Sequence, residues 1–327
     1  MSFHVIVTLG PSIMDADQLK RIASSADCIF RVNGAHFDDM ERVRQLIQFC
    51  RRSLGAPKIM IDLPGNKIRV AYLDEPITLV AGKTFNLFSH QFNYKEFYQL
   101  LRPGQIIMAN DSLFRFEVIA ADATRIELLS HSNGSLANNK GMHTPGVSDN
   151  LPFLFERDRQ LIRIGLQEDV FALGLSFVRS ADDVKEVAAI VGERSIRLIS
   201  KVEKIAAVEN LESILDVVEY ILIDRGDLST ETGMLHLPYY QNLIIESAKR
   251  KGKKVILATQ FLKNMESKPI PVIPEVIDLF NTFRLGIAGI QLSEETAIGQ
   301  FPEECVEFIM AMHRVAQLDY EPTPLRA

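Results

Sequence analysis

The chain has 327 residues, of which 47% are hydrophobic, and its formal net charge at pH 7 is −6. This apolar content is enough for a large core and excludes a disordered chain. The acidic balance argues against nucleic acid as a partner, because short basic runs such as 249–254 lie beside acidic stretches and are typical of solvated helix ends.

Eight short, β-branched runs predict strands that are buried on both faces. Each run has four to eight residues and is almost continuously hydrophobic, which is typical of a parallel sheet. In chain order, the predicted strands are residues 5–9, 28–32, 58–63, 171–177, 197–202, 220–223, 254–258 and 289–292.

Amphipathic segments lie between most of these strands and predict helices. In the segment 38–53, apolar residues recur with a period of 3.6 residues. The predicted helices are residues 14–24, 38–53, 181–191, 206–215, 239–251, 276–285 and 302–317. Eight strands that alternate with helices indicate an α/β fold, a (β/α)8 TIM barrel.

One connection, between about residues 70 and 151, is too long for a simple loop. It contains alternating segments at 84–88, 106–110, 114–119 and 125–130, with turn residues at 103–104 and 133–134. We interpret it as a small β-barrel lid domain, residues 70–151, inserted after the third strand of a barrel formed by residues 1–69 and 152–327. A long irregular loop is the alternative.

The three cysteines, Cys28, Cys50 and Cys305, are distant in sequence and lie in apolar runs. Their number and spacing argue against a disulfide framework and against zinc, and they fit buried thiols in a reducing compartment. The first ten residues lack the pattern of a signal peptide, and no apolar run approaches the length of a membrane span. We expect a cytoplasmic protein without a membrane partner.

Polar and charged side chains follow nearly every predicted strand, at the end where a TIM barrel carries its chemistry. Glu203 and Asp227 end neighbouring strands and could together hold Mg²⁺, which prefers carboxylate oxygens. Lys201 and the arginines Arg31 and Arg69 could bind a phosphoryl group. Each carboxylate could instead be an ordinary exposed strand end.

Two other polar residues, His36 and Thr259, are weaker indications, because a lone histidine or threonine is more often an ordinary hydrogen-bonding residue. The motifs around all these residues nevertheless follow one order. They are TLGP at 8–11, RVNGAH at 31–36, DLPGNKIR at 62–69, NDS at 110–112, KG at 140–141 with PG at 145–146, SKVE at 200–203, RGDL at 225–228, ATQ at 258–260 and LSEETA at 292–297. This ordered set resembles the pyruvate kinase family over nearly the whole chain.

The resemblance implies roles for individual residues. Glu203 and Asp227 would hold Mg²⁺ or Mn²⁺, Lys201 and Arg31 would stabilise the transferred phosphoryl group, and the backbone at Gly226 and Asp227 would hold the carboxylate of phosphoenolpyruvate. Thr259 would bind substrate and belong to a proton relay. The residues that would face ADP or ATP are Asn33, His36, Arg69, Lys140 and, in the lid, Asp111.

The monovalent-cation site of the family is changed in this chain. Asn33 and Asp62 are present, but Ala35 and Leu63 replace two hydroxyl residues, and Lys67 replaces the glutamate of potassium-dependent members. The resemblance therefore implies that the ammonium group of Lys67 substitutes for K⁺ and that K⁺ is not required.

Three further departures concern the active site. Glu294 replaces a glycine, Ile298 replaces a lysine that contacts nucleotide phosphates, and Asp224 replaces a small alanine before the RGD segment. The side of the site that would bind the acid and the metal is intact in sequence, whereas the nucleotide side is weakened.

The chain ends near the end of the barrel, so we expect no C-terminal regulatory domain and no activation by sugar phosphates through it. Ile273 replaces an arginine of the barrel-to-barrel contact, and we expect a monomer or a homodimer.

Three functions remain open at this stage. The first is a minimal pyruvate kinase, which converts phosphoenolpyruvate and ADP to pyruvate and ATP. The second is a metal-dependent lyase or aldolase that acts through a pyruvate enolate without nucleotide. The third is a binding protein without turnover, which the retained carboxylates and lysine disfavour. Lys140, Arg69 and His36 favour the kinase, and Ile298 and Glu294 favour the lyase.

Overall fold

The computed structural model describes residues 3–37, 39–110, 113–144, 147 and 151–318. These residues form two compact units, one from the described residues up to Pro64 and from Glu156 onward, the other from Gly65–Phe155. In chain order, the second unit is therefore inserted after the third strand of the first unit and before its fourth strand.

The strands in chain order are β1 (His4–Thr8), β2 (Cys28–Asn33), β3 (Lys58–Asp62), β4 (Arg69–Val70), β5 (Ile77–Leu79), β6 (Thr84–Phe88), β7 (Ile106–Ala109), β8 (Phe114–Ala121), β9 (Arg125–Ser130), β10 (Gly134–Leu136), β11 (Lys140–His143), β12 (Ala172–Leu175), β13 (Arg197–Val202), β14 (Tyr220–Asp224), β15 (Lys254–Ala258) and β16 (Gly289–Leu292).

The α-helices are α1 (Ala16–Ser25), α2 (Met40–Leu54), α3 (Glu156–Gln167), α4 (Ala181–Val191), α5 (Ile205–Glu209), α6 (Leu211–Val217), α7 (Arg225–Thr232), α8 (Leu237–Arg250), α9 (Ile273–Arg284), α10 (Glu294–Ala297) and α11 (Pro302–Ala316). Short 3-10 turns occur at Pro11–Ile13, Gly34–His36, Ser89–Gln91, Lys95–Leu100 and Lys263–Glu266.

The first unit is a closed barrel of eight parallel strands in the order β1-β16-β15-β14-β13-β12-β3-β2. Its strands are hydrophobic on both faces because one face lines the barrel interior and the other packs under the helices. Several helices begin at side-chain caps, such as Asp15 before α1 and Ser180 before α4, which satisfy free backbone N–H groups. The predicted (β/α)8 barrel is confirmed.

The second unit is antiparallel, with a six-stranded sheet in the order β4-β11-β7-β8-β9-β6 and a two-stranded sheet of β5 and β10. It has its own core, which includes Phe92, Phe97 and Phe116. The predicted β domain inserted after the third barrel strand is therefore present, and the alternative of an irregular loop is wrong.

Some elements differ from those predicted. The predicted helix 206–215 is two helices, α5 and α6, because the backbone leaves helical geometry at Asn210, whose side-chain amide donates to the carbonyls of Arg179 and Ala206. Helices α3, α7 and α10 were not predicted. In the described part of the chain, no helix is long and apolar enough to cross a membrane. Cys28, Cys50 and Cys305 are buried free thiols.

Candidate active site

The barrel interior is apolar at one level and becomes polar toward the carboxyl ends of the strands. The interior cluster is built from residues of seven barrel strands: Ile6, Ile29, Met60, Ala172, Ile199, Tyr220, Leu222, Ile256 and Ala258. Side chains two positions apart on a strand share a face. The residues two positions beyond four of these apolar residues therefore also face inward: Arg31, Asp62, Lys201 and Asp224.

A buried ion-pair network lies at this polar level. Arg31 donates to Asp62 through Nε at 2.7 Å and to the Thr8 hydroxyl through Nη1 at 2.9 Å. The Lys201 ammonium group donates to the Ser176 hydroxyl at 3.0 Å and lies 3.4 Å from the Asp62 carboxylate. The two cations predicted to act on a phosphoryl group thus share one carboxylate.

Asp62 is fixed between these cations. Burial disfavours its charge, but Lys201 and Arg31 outweigh burial and hold the pKa of Asp62 below its ordinary value. The neighbouring strand leaves room for the carboxylate, since a Cβ at Gly174 would lie 2.5 Å from Asp62 Oδ1. Asp62 therefore remains ionised and holds Arg31 and Lys201 in place.

Three carboxylates, Glu203, Asp224 and Asp227, form a group that could hold a metal ion. One oxygen of each lies within 4.8 Å of the others, and Glu203 and Asp224 are buried. Glu203 Oε2 accepts a hydrogen bond from Phe177 N at 2.6 Å, and Oε1 lies 2.8 Å from Lys201 Nζ. The donor set is all oxygen and fits Mg²⁺ or Mn²⁺.

The charges of this group depend on one another. Burial raises the pKa of Glu203 to about 7, with Lys201 opposing and Asp227 and Asp224 adding to the rise. Burial would lower the pKa of Lys201, but Asp62, Glu203 and Asp224 raise it above its ordinary value. The lysine therefore stays protonated, and a divalent cation would favour the ionised form of Glu203.

The loop after β15 has a strained backbone, and residues at the start of helix α7 hold it in place. Thr259 and Gln260 have positive φ angles of 73° and 56°, which are unfavourable for residues with a Cβ and especially for a β-branched threonine. The Thr259 hydroxyl donates to Ala258 O and accepts from Gly226 N at 3.0 Å. Thr259 and Gly226, both predicted site residues, are thus in direct contact.

Arg225 holds this loop from the start of α7. Its guanidinium group donates to the carbonyl of Thr259 at 2.6 Å and to Asp278 at 2.7 Å, and it lies 3.9 Å from the ring centroid of Phe261. Asp227, two residues further on, donates its backbone N–H to Asp224 Oδ1 at 3.5 Å. The RGDL segment therefore connects the metal-ligand candidates to Thr259.

The segment that follows β16 contains two of the sequence departures, Glu294 and Ile298. Thr296 is buried and accepts from Thr8 N at 3.0 Å, so it supports the residue that contacts Arg31. Glu295 is buried and accepts from Ser293 N at 2.8 Å. Glu294 is exposed, and Ile298 is 62% exposed, so both lie where a solvent-borne ligand could meet them.

The remaining predicted residues lie in two places. Asn33 caps the turn Gly34–His36, which contains His36, in the barrel unit. Arg69 and Lys140 lie on the paired strands β4 and β11 of the inserted unit, and Lys67 lies against Gly141 of the same strand pair. Asp111 and the segment 145–146 lie outside the described residues.

Comparison with known proteins identifies the family. The profile of the pyruvate kinase barrel domain matches residues 2–306. The chain belongs to the pyruvate kinase family. It is 31% identical to the pyruvate kinase of Sporosarcina psychrophila, 29% to that of Thermotoga maritima and 31% to that of Clostridium perfringens, over 97%, 98% and 97% of this chain.

The chain spans 57% of the Sporosarcina pyruvate kinase, 72% of the Thermotoga protein and 71% of the Clostridium protein. Within that span, Arg31 and Lys201 both pair with Asp62, and Lys201 also contacts Glu203. Carboxylate oxygens of Glu203 and Asp227 lie within 4.8 Å of each other, and Gly226 contacts Thr259. Two residues of the site were not predicted from the sequence: Ser176, which accepts a hydrogen bond from Lys201, and Asp224, which belongs to the carboxylate group. The two-residue period of β14 was the signal that could have placed Asp224 there.

Proposed function

We propose that this member of the pyruvate kinase family is a phosphotransferase that converts phosphoenolpyruvate and ADP to pyruvate and ATP. The observation that carries the proposal is the arrangement around Lys201. A protonated, buried ammonium group lies 2.8 Å from Glu203, and that carboxylate belongs to an oxygen-rich group that includes Asp227. Phosphoryl transfer depends mainly on positioned charges of this kind.

Glu203 and Asp227 would hold Mg²⁺ or Mn²⁺, which supplies charge neutralisation for the phosphoryl and enolate oxygens. Lys201 and Arg31, positioned by Asp62, would stabilise the phosphoryl group between donor and acceptor. The N–H groups of Gly226 and Asp227 would anchor the substrate carboxylate, and the Thr259 hydroxyl would take part in delivering the proton that converts the enolate to pyruvate.

The nucleotide is proposed to contact Asn33, His36, Arg69, Lys140 and Asp111. Lys67 is proposed to replace K⁺, in keeping with the absence of hydroxyl groups at Ala35 and Leu63. The remaining proposals are a monomer or homodimer, a cytoplasmic location, and small-molecule partners rather than nucleic acid or membrane.

A second candidate is a lyase or aldolase that acts through a pyruvate enolate. It is favoured by exposed Ile298 and Glu294, which offer an apolar and an anionic side chain in place of the expected phosphate contact. Such an enzyme would use the same metal carboxylates and Lys201 but would not require ADP.

The test is pyruvate formation from phosphoenolpyruvate with Mg²⁺ or Mn²⁺, with and without ADP, for the wild type and Lys201→Met. ADP-dependent turnover that falls at least about 1000-fold in the variant is expected, because the charge acts on the transition state. Turnover should be equal in potassium and tetramethylammonium salts. Absence of turnover, together with Mn²⁺-dependent oxalate binding, would contradict the kinase and favour the lyase.

A further inference from the structure

Asp224 lies at the metal end of the barrel because of its position on β14. It follows the interior residue Leu222 by two positions and pairs in register with Ala258, another interior residue. A side chain at this position must face the inside of the barrel mouth. Asp224 is 7% exposed, so its carboxylate is almost completely removed from water.

The contacts of the Asp224 carboxylate within the protein are long. Oδ1 accepts from Asp227 N at 3.5 Å, and Oδ2 lies 3.8 Å from Lys201 Nζ. Lys201 itself makes shorter contacts, at 2.8 Å with Glu203 and at 3.0 Å with Ser176. A buried carboxylate costs free energy unless close partners compensate for its lost hydration, and neither long contact does so fully.

Glu203 indicates where a compensating partner would lie. Its Oε1 is buried and receives no aligned hydrogen bond, although the Lys201 ammonium group is close. Oxygens of Glu203, Asp224 and Asp227 lie within 4.8 Å of one another. Oxygens that share a divalent cation at about 2.0–2.6 Å are separated by no more than about 5 Å, so one ion can contact all three.

Asp224 also accepts a hydrogen bond from a backbone N–H group that the substrate would need. The N–H group of Asp227, which the proposed function assigns to the substrate carboxylate, already faces Asp224 Oδ1. A carboxylate from the protein and a carboxylate from the substrate would compete for the same donor and for the same cation.

We propose that Asp224 is a third carboxylate ligand of the divalent cation and an internal competitor of the substrate carboxylate. This inference rests on the proposed metal site of Glu203 and Asp227. Two consequences follow. The protein binds the cation without substrate more tightly than Glu203 and Asp227 alone would, and a carboxylate ligand must displace Asp224 from Asp227 N–H before it can bind.

The test uses the full chain without phosphoenolpyruvate or nucleotide. Mn²⁺ binding is measured by electron paramagnetic resonance for the wild type, Asp224→Ala, Asp224→Asn and Asp216→Ala. Asp216 is an exposed aspartate of α6 and controls for the loss of one negative charge. Asp224→Asn keeps the shape of the side chain if the alanine variant folds poorly. Both Asp224 variants should bind Mn²⁺ at least about tenfold more weakly, with Asp216→Ala unchanged.

Oxalate, a dicarboxylate analogue of the enolate, tests the competition. The Mn²⁺-loaded Asp224→Ala protein should bind oxalate more tightly than the loaded wild type, by calorimetry at saturating Mn²⁺. Equal Mn²⁺ affinity in wild type and both Asp224 variants, with Glu203→Gln defective, overturns the inference and leaves the proposed metal site intact. Equal Mn²⁺ binding by wild type and Glu203→Gln overturns both.

Discussion

Gln291 is a buried amide at a level of the barrel where the neighbouring strands contribute apolar residues. It pairs in register with Ile6 and Ala258, so its side chain faces the interior. It is 1% exposed, and among the described residues neither its amide nitrogen nor its amide oxygen has a hydrogen-bond partner. An unsatisfied buried amide costs roughly 1–3 kcal/mol of folding free energy.

Replacing Gln291 with methionine should therefore stabilise the protein. The two side chains have similar volume, so the substitution removes two unsatisfied polar atoms without leaving a cavity. We expect the free energy of unfolding in urea to rise by about 1–3 kcal/mol. Gln300→Met, at an exposed position, is the control and should change it by less than about 0.5 kcal/mol. A loss of stability in Gln291→Met would mean that the amide has a polar partner in solution.

At the scale of elements, Arg225 links helix α7, which it begins, to the loop that follows β15. The guanidinium group donates to the carbonyls of Thr259 and Gln260, the two residues of this loop that have positive φ, and its other contacts fix its plane. A conformation this unfavourable persists only where surrounding contacts enforce it. We therefore expect Arg225 to position Thr259, the residue proposed to take part in proton delivery.

Arg225→Lys should keep the charge and lose the positioning. A lysine lacks the planar fork that contacts two carbonyls and the face of Phe261. We expect the rate of the proposed pyruvate formation to fall roughly 10- to 100-fold, since small displacements of a reacting group have effects of this size. The Mn²⁺ affinity should be nearly unchanged, because the proposed ligands Glu203, Asp224 and Asp227 remain.

Arg250→Lys, on the exposed end of α8, is the matched control and should leave the rate unchanged. If Arg225→Lys weakened Mn²⁺ binding as much as it slowed turnover, the arginine would be acting on the metal carboxylates rather than on Thr259.

The barrel was predictable from sequence because each strand is a short, continuous apolar run, a signal independent of tertiary contacts. Helix α10 was not predictable, because four residues are too few to show a periodic pattern. Helix α7 was not predicted either, because its RGDL segment was interpreted only as a functional motif. The site was predicted from charged residues at strand ends. Asp224 was noted only as a departure, since its role depends on distances to Glu203 and Asp227 that the sequence does not contain.

At the scale of the whole molecule, the chain has two units with separate cores. The core of the inserted unit is formed by residues such as Phe92 and Phe116, and the interior of the barrel by a different set that includes Met60 and Leu222. The described carboxylates proposed to hold the cation all belong to the barrel. A ligand that binds only the folded barrel stabilises that unit, and its effect reaches the other unit only if the two unfold together.

Hydrogen exchange with and without Mn²⁺ tests this separation. At a free Mn²⁺ concentration of 100 times Kd, the opening free energy of the barrel should rise by about 2.7 kcal/mol, so exchange that requires its unfolding should slow roughly 100-fold. Peptides from β13 and β14 should show this change, whereas peptides from β8 and β9 should not. Glu203→Gln should abolish the difference. Equal slowing of β8 and β9 would contradict separate unfolding, because it requires the inserted unit to open only when the barrel opens.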